Sequence, residues 1–290
     1  HVDVEVNGTR LFYQPVGSDK NYPLIVLHGG PGLDHTEMHP WMDSLSDAFW
    51  LLYVDQRGQG RSERVDPSTL SLPLFASDVV GLAAALGLPH YALLGHSYGA
   101  FVALTHAIER GEASHYIISH GTASFKKTGA EVEANLASFE PVGLREQVTQ
   151  SWALEESAKT QEDVARIMSL QMPFHFASAE SDAYRRYMSQ ADRAIYAPEV
   201  LSYIAGHEYE IEYEEQLGRV QRPTLIFSGE LDRTCTPRAA RDLHAGIPGS
   251  ELVILPNTGH MSFIEDPEGY FGAVRAFFRR HPLPTSGTAS

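Results

Sequence analysis

Short, largely apolar blocks recur along the chain at residues 24–27, 50–54, 91–94 and 116–118, and return at 224–227 and 251–255. Blocks of this length with little polar alternation read as strands buried on both faces. Stretches with helical patterning, 74–86, 98–109, 237–245 and 267–280, fall among and after them. Strand and helix alternating at this spacing imply βαβ crossovers and a parallel sheet covered on both sides. The opening differs. Val2, Val4 and Val6 alternate with polar residues, and Asn7-Gly8 then precedes Leu11-Phe12-Tyr13, the pattern of an antiparallel hairpin closed by a two-residue turn. The predicted fold class is α/β: a mostly parallel twisted sheet with an antiparallel N-terminal hairpin and helices on both faces.

Between residues 123 and 217 the rhythm stops, and the pattern reads as several helices without a buried strand. The predicted organisation is therefore a core of residues 1–122 and 218–281, a helical cap of 123–217, and a disordered tail of 282–290 rich in Pro, Ser, Thr and Gly. The cap segment holds 17 acidic and 8 basic residues and 11 of the 29 aromatic ones, Phe174, Tyr184, Tyr187 and Tyr213 among them. Its acid surplus is either a solvated helix surface or a negative field over a site that attracts cationic substrates. No internal repeat is visible.

Composition narrows the classes. The chain has 290 residues, 43% of them hydrophobic, with 22 Lys+Arg against 37 Asp+Glu and a net charge of −15. A chain of this length can bury a large core without disulfides, and with Cys235 as its single cysteine it can form none internally. The acid surplus argues against nucleic acid and anionic membranes as partners, because phosphate binding draws on clustered Lys and Arg. No apolar run approaches the roughly 18 residues of a membrane span. One cysteine and no visible targeting segment suggest the cytoplasm; oligomeric state is not indicated.

Candidate chemistry begins at Gly95-His96-Ser97-Tyr98-Gly99, which lies directly between a predicted strand and a predicted helix. That context suits a nucleophile elbow, whose sharp turn exposes the serine and demands small residues two positions before and after it. A serine hydroxyl needs a base to take its proton and a carboxylate to orient that base. Asp232 follows the strand 224–227, and His260 follows the strand 251–255, in the chain order Ser, Asp, His. Ser97, Asp232 and His260 are the expected catalytic residues. Glu230 and Asp55 are weaker rivals for the acid. An oxyanion hole requires backbone N–H donors; Tyr98 supplies one, and the loop His28-Gly29-Gly30-Pro31-Gly32 supplies the other, assigned to Gly30 with Gly29 as fallback. His28 is read as a loop-shaping residue. The mechanism calls for no cofactor and no metal.

These motifs resemble the α/β-hydrolase superfamily. The sequences His28-Gly-Gly-Pro-Gly32 and Asp55-Gln-Arg-Gly-Gln-Gly-Arg-Ser62, with the Asp232/His260 pair, resemble its proline iminopeptidase branch, serine aminopeptidases that release an N-terminal residue. The resemblance implies a helical cap that closes over the site and acidic side chains that hold the free α-amino group of a small-molecule or short-peptide substrate. Two positions depart from that branch: His96 precedes the serine, as in many esterases and carbon-carbon bond hydrolases, and Ala205 stands where a cap glutamate is expected. Glu208 and Glu210, with Glu212, are the candidate replacements.

Three alternatives stay open from the sequence. A capped esterase, lactonase or carbon-carbon bond hydrolase would use the same triad. A metal-dependent hydrolase is suggested by Asp34-His35-Thr-Glu37-Met-His39, with two histidines four apart. An inactive binding protein could occupy the same fold. Cys235 reads as a small buried hydrophobe, and Arg57 and Arg61 as loop anchors toward Asp55.

Overall fold

The computed structural model describes residues 2–207 and 211–284. β1 (Val2–Val6) and β2 (Thr9–Val16) form the opening hairpin, and Asn7 and Gly8 in its turn have φ of 49° and 81°. Such a turn needs positive φ at both positions, which Asn-Gly tolerates best. β3 (Tyr22–Leu27), β4 (Phe49–Asp55), α1 (Leu72–Ala85), β5 (Ala92–His96), α2 (Tyr98–Glu109) and β6 (Tyr116–Ser119) follow. Five α-helices then intervene: α3 (Phe125–Ala137), α4 (Val142–Glu155), α5 (Gln161–Gln171), α6 (Asp182–Ser189) and α7 (Pro198–Gly206). The chain returns through β7 (Thr224–Gly229), α8 (Pro237–Gly246), β8 (Glu251–Leu255), α9 (Ser262–Glu265) and α10 (Pro267–Arg280).

The eight strands form one sheet in the order β1-β2-β4-β3-β5-β6-β7-β8. β2 pairs antiparallel with β1 and β4, and every other pair is parallel. This is the mixed sheet the hydrophobic pattern predicted.

Alternation along each strand divides its side chains between two cores. Ile25, Leu27, Leu93, Ile118 and Ile226 join residues of α1, α2 and α8, including Phe75, Val102 and Leu243. Leu24, Val26, Leu94, Ile117 and Phe227 join Tyr270, Val274 and Phe277 of α10. Both faces are thereby removed from water, which is why these strands read as continuous apolar runs. Burying each such side chain contributes roughly 1.5–3 kcal/mol.

The inserted helices build smaller clusters of their own. Phe139, Val148 and Phe174 form one, and Val164, Ile167, Tyr196 and Leu201 pack with Leu33 in another. A parallel sheet directs the loops after its strands to one edge, where ligands of open α/β sheets bind. Here Gly29, Ser97, His120, Asp232 and His260 all follow such strand ends, of β3, β5, β6, β7 and β8.

Candidate active site

β5 stops at His96 and α2 starts at Tyr98, so Ser97 alone makes the turn, with φ 56° and ψ −116°. A non-glycine residue in such a conformation costs on the order of 1–3 kcal/mol and persists only where its surroundings enforce it. The surroundings do so. A Cβ on Gly95 would lie 2.0 Å from the Gly99 carbonyl oxygen, and one on Gly99 would lie 2.3 Å from that of Leu27. The two glycines of the pentapeptide are thus required by close backbone approach. The Ser97 N–H donates to the Ser119 carbonyl at 2.9 Å, tying the turn to β6.

Asp232 and His260 come from successive loops and meet with His260 Nδ1 2.8 Å from Asp232 Oδ2. The second carboxylate oxygen accepts the Thr234 N–H at 2.9 Å. With its proton held on Nδ1, the imidazole keeps a lone pair on Nε2. Burial pushes His260 down, but the Asp232 charge and hydrogen bond, helped by Glu37 and Glu265, leave it above the usual histidine value. Burial alone would raise Asp232; His260 and His120 instead hold it far below the carboxylate range. Ser97 and His260 line the same cavity, of about 420 Å³, together with the expected donors Gly30 and Tyr98. That volume suits a small ligand, since such pockets span about 300–1,000 Å³.

Further histidines belong to this constellation. His120, at φ 56° just beyond β6, places Nδ1 2.7 Å from the same Asp232 oxygen and Nε2 2.6 Å from Ser262 Oγ. His175, from the inserted segment, accepts the His260 N–H on its carbonyl at 2.9 Å and sets its ring 5.3 Å from the His260 ring. Burial and the nearby His260 push the His175 imidazole down to about 3. The segment around His175 is strapped to both loops. Arg233 donates to the carbonyls of Phe174 and Phe176 at 3.0 and 2.8 Å, while Glu265 accepts the N–H groups of Ala177 and Gly259.

Two carboxyl groups that the sequence reading did not assign to substrate also line the cavity, Glu37 and Glu155. Glu37 Oε1 accepts the Gly29 N–H at 2.6 Å, which commits that donor and leaves Gly30 as the loop's candidate for the oxyanion. Gly32 is committed as well, donating to Gln59 Oε1 at 2.8 Å. Glu155, the last residue of α4, accepts from Gln171 Nε2 at 3.1 Å, and Gln171 Oε1 in turn lies 3.1 Å from His175 Nε2. Burial raises each carboxyl to about 7; hydrogen bonds from Gly29 and Gln171 respectively oppose the rise. Ala205 lines the cavity without offering a charge. Glu208 and Glu210 lie outside the described residues, and Glu212 caps the start of α3 by accepting from Ser124 Oγ and the Lys126 N–H.

Glu37 has a consequence for stability. An unfolded glutamate ionises near 4.5, the folded one near 7. The chain then loses stability as pH rises across that window, by at most about 3 kcal/mol, and is level above it. E37Q keeps an acceptor for Gly29 but does not ionise. Urea unfolding should therefore favour E37Q over the parent increasingly from about pH 4.5 to about pH 8; a difference independent of pH would show that Glu37 ionises normally.

Ligand atoms of His120, Asp232 and His260 lie within 4.8 Å of one another, as do those of Asp34, His35 and Asp55. In the first group each imidazole Nδ1 is at 2.7–2.8 Å from one carboxylate oxygen, a hydrogen-bond spacing, whereas ligands around tetrahedral zinc stand about 3.3 Å apart. In the second, Asp55 Oδ1 accepts both the His35 N–H and Nδ1–H at 2.7 Å. Glu37 and His39 turn elsewhere, to Gly29 and toward Asp43. Cys235 is buried on the cavity wall, and burial with the neighbouring Asp232 charge pushes its thiol up. Arg57 pairs with Asp78 of α1 at 2.8 Å rather than with Asp55, which instead accepts the Arg61 N–H. His28 shapes its loop by contacts to Gly29 and Gln56.

Residues 22–267 match the family model described as alpha/beta hydrolase fold. A proline iminopeptidase of Lactobacillus crispatus is 27% identical, over 94% of this chain and 96% of that protein. A proline iminopeptidase of Saccharolobus solfataricus is also 27% identical, over 95% and 93%. Among solved structures, a proline iminopeptidase of Mycobacterium smegmatis superposes with a TM-score of 0.75 at 21% identity, covering 97% of this chain and 98% of that one. A meta-cleavage product hydrolase of Pseudomonas fluorescens superposes with a TM-score of 0.76 at 17% identity, covering the same shares. Among the described residues no helix is long and apolar enough to cross a membrane. The sheet order, the turn at Ser97 and the matched 246 residues agree: the chain belongs to the α/β-hydrolase fold family and is similar to its proline iminopeptidases.

Proposed function

We propose that the protein is a serine aminopeptidase of the proline iminopeptidase type, releasing the N-terminal residue of short peptides through an acyl-enzyme. The observation that carries this reading is the convergence of Ser97, His260, Glu37 and Glu155 on one cavity of about 420 Å³. His260 Nε2 takes the Ser97 proton as Oγ attacks the carbonyl, and Asp232 stabilises the imidazolium. The N–H groups of Gly30 and Tyr98 receive the oxyanion. The imidazolium passes its proton to the leaving amine, and water, activated by the same base, releases the acyl group. The likeness to proline iminopeptidases supports the peptide substrate. In this reading residues 123–217 form the cap, and Glu37 and Glu155 take the part first given to Glu208 and Glu210.

An ammonium group in the cavity would draw both carboxyl groups into their ionised form. Affinity for a free-amine substrate then rises as pH approaches about 7, and falls above about 8 as the α-amine loses its own proton. The 1/KM profile of an aminoacyl-naphthylamide should trace that rise and fall, and E155Q should raise KM about tenfold with kcat little changed, as expected for a charge-assisted hydrogen bond. Acetylating the substrate's amine should abolish turnover. Equal turnover of free and blocked substrates would instead favour an esterase or carbon-carbon bond hydrolase, a reading supported by His96 before the serine and by a wall in which apolar Phe101, Phe125, Val132 and Trp152 predominate.

A further inference from the structure

Asp232 serves two imidazoles, not one. Its Oδ2 lies 2.8 Å from His260 Nδ1 and 2.7 Å from His120 Nδ1, and its Oδ1 is taken by the Thr234 N–H and Oγ. We infer that His120 is a positioning residue, a second N–H donor that fixes the Asp232 carboxylate and shares its charge with His260. This rests on the reading of Ser97, His260 and Asp232 as a working triad.

Geometry sets the protonation. Asp232 is ionised and can only accept, so the proton of His120 sits on Nδ1. Its Nε2 then accepts the hydroxyl proton of Ser262, whose Oγ is 2.6 Å away on the first residue of α9. Both side chains are fully buried. The backbone of His120 is held at φ 56°, in the left-handed region that histidine enters more readily than most residues, and its N–H donates to the Phe227 carbonyl at 3.0 Å. A buried ring bonded at both nitrogens, on a backbone tied to β7, is more than space filling.

The chemical effect follows from sharing. A carboxylate oxygen that accepts two N–H bonds offers each donor less than it would offer one. Without His120, Asp232 binds the His260 imidazolium more strongly, so the base holds its proton to higher pH. His260 is faced by Asp232, His120 and His96 from the strand ends, by Glu37 from the β3 loop, by His175 from the inserted segment, and by Glu265 from α9. Of these only His120 shares the Asp232 oxygen, so its removal alone redistributes that bond.

The test is the rate at which a fluorophosphonate labels Ser97 as a function of pH, which needs no peptide substrate. H120L, similar in bulk but without a donor, should move the acid limb of the profile up by about one pH unit and slow labelling below it about tenfold. H120N, whose amide can replace Nδ1–H, should keep the limb within a few tenths of a unit of the parent. S262A, which frees the other end of the ring, should shift it in the direction of H120L and serves where H120L does not fold. In proton NMR the parent should show two strongly deshielded N–H resonances from the paired imidazoles, and H120L should retain one. A limb unmoved in H120L, or in S262A if H120L is unfolded, would overturn the inference while leaving the triad intact. A parent that the probe does not label at all removes the triad reading and this inference with it.

Discussion

Replacing Ser97 by alanine should reduce turnover by up to about 10⁶-fold and leave the fold in place. The magnitude is that of losing the nucleophile of a serine mechanism, where oxyanion donors and binding alone retain only a small residual rate. The fold should survive because the Ser97 contribution to structure is its backbone. The N–H bond to Ser119 and the Gly95/Gly99 close approaches do not involve Oγ. Alanine bears the same strain at φ 56° as serine, so that cost cancels and stability should change by less than about 1 kcal/mol. Steady-state turnover and thermal unfolding of S97A separate the two effects. Turnover within tenfold of the parent would mean that the reaction uses another nucleophile.

D232N should reduce kcat by about 10⁴-fold, the loss seen when a triad acid becomes an amide of the same shape. The neutral side chain cannot stabilise an imidazolium, and an amide NH₂ directed at His260 favours the wrong tautomer, with the lone pair on Nδ1. Two imidazoles depend on this carboxylate, at 2.7 and 2.8 Å, so the substitution disturbs His120 as well as His260. Stability carries a second signature. The folded pKa of Asp232 lies far below its ordinary value of 3.8, so its contribution is complete above that value and is lost as pH falls through the folded one. D232N should be the less stable protein at neutral pH, and the gap should narrow in acid. Parallel unfolding curves at all pH values would contradict the burial of an ionised group there.

Much of this architecture could be read from the chain because it is set locally. Strands buried on both faces announce themselves as apolar runs, and the Asn7-Gly8 turn and the glycines around Ser97 mark backbone positions that few residues can fill. Parallel topology then does the rest: once Ser97, Asp232 and His260 are each placed after a strand, the sheet brings their loops to one edge.

What escaped depends on contacts between distant residues. Glu155 closes α4 beside another glutamate, Glu156, and nothing in that run distinguishes a cavity carboxyl from a solvated one. Glu37 sat inside a pattern that suggested metal ligands, and only the fold shows it beneath the loop at Gly29. His120 carried a usable signal, a histidine directly after a buried strand at the same edge as the serine; its bond to a carboxylate 112 residues away could not be foreseen. Arg57 likewise finds Asp78 on α1 instead of the nearer Asp55. Local patterning specifies elements and their order, while the polar partners around a site are chosen by tertiary approach.

The central claim is that the Ser97 hydroxyl becomes the nucleophile by losing its proton to His260. Peptide mapping after brief exposure to a fluorophosphonate tests it most directly. The account predicts a single adduct on the peptide bearing Ser97, absent in S97A and at least a thousandfold slower to form in H260A, on the scale of triad losses. An adduct on another residue, or labelling of Ser97 that proceeds unchanged without His260, would contradict it.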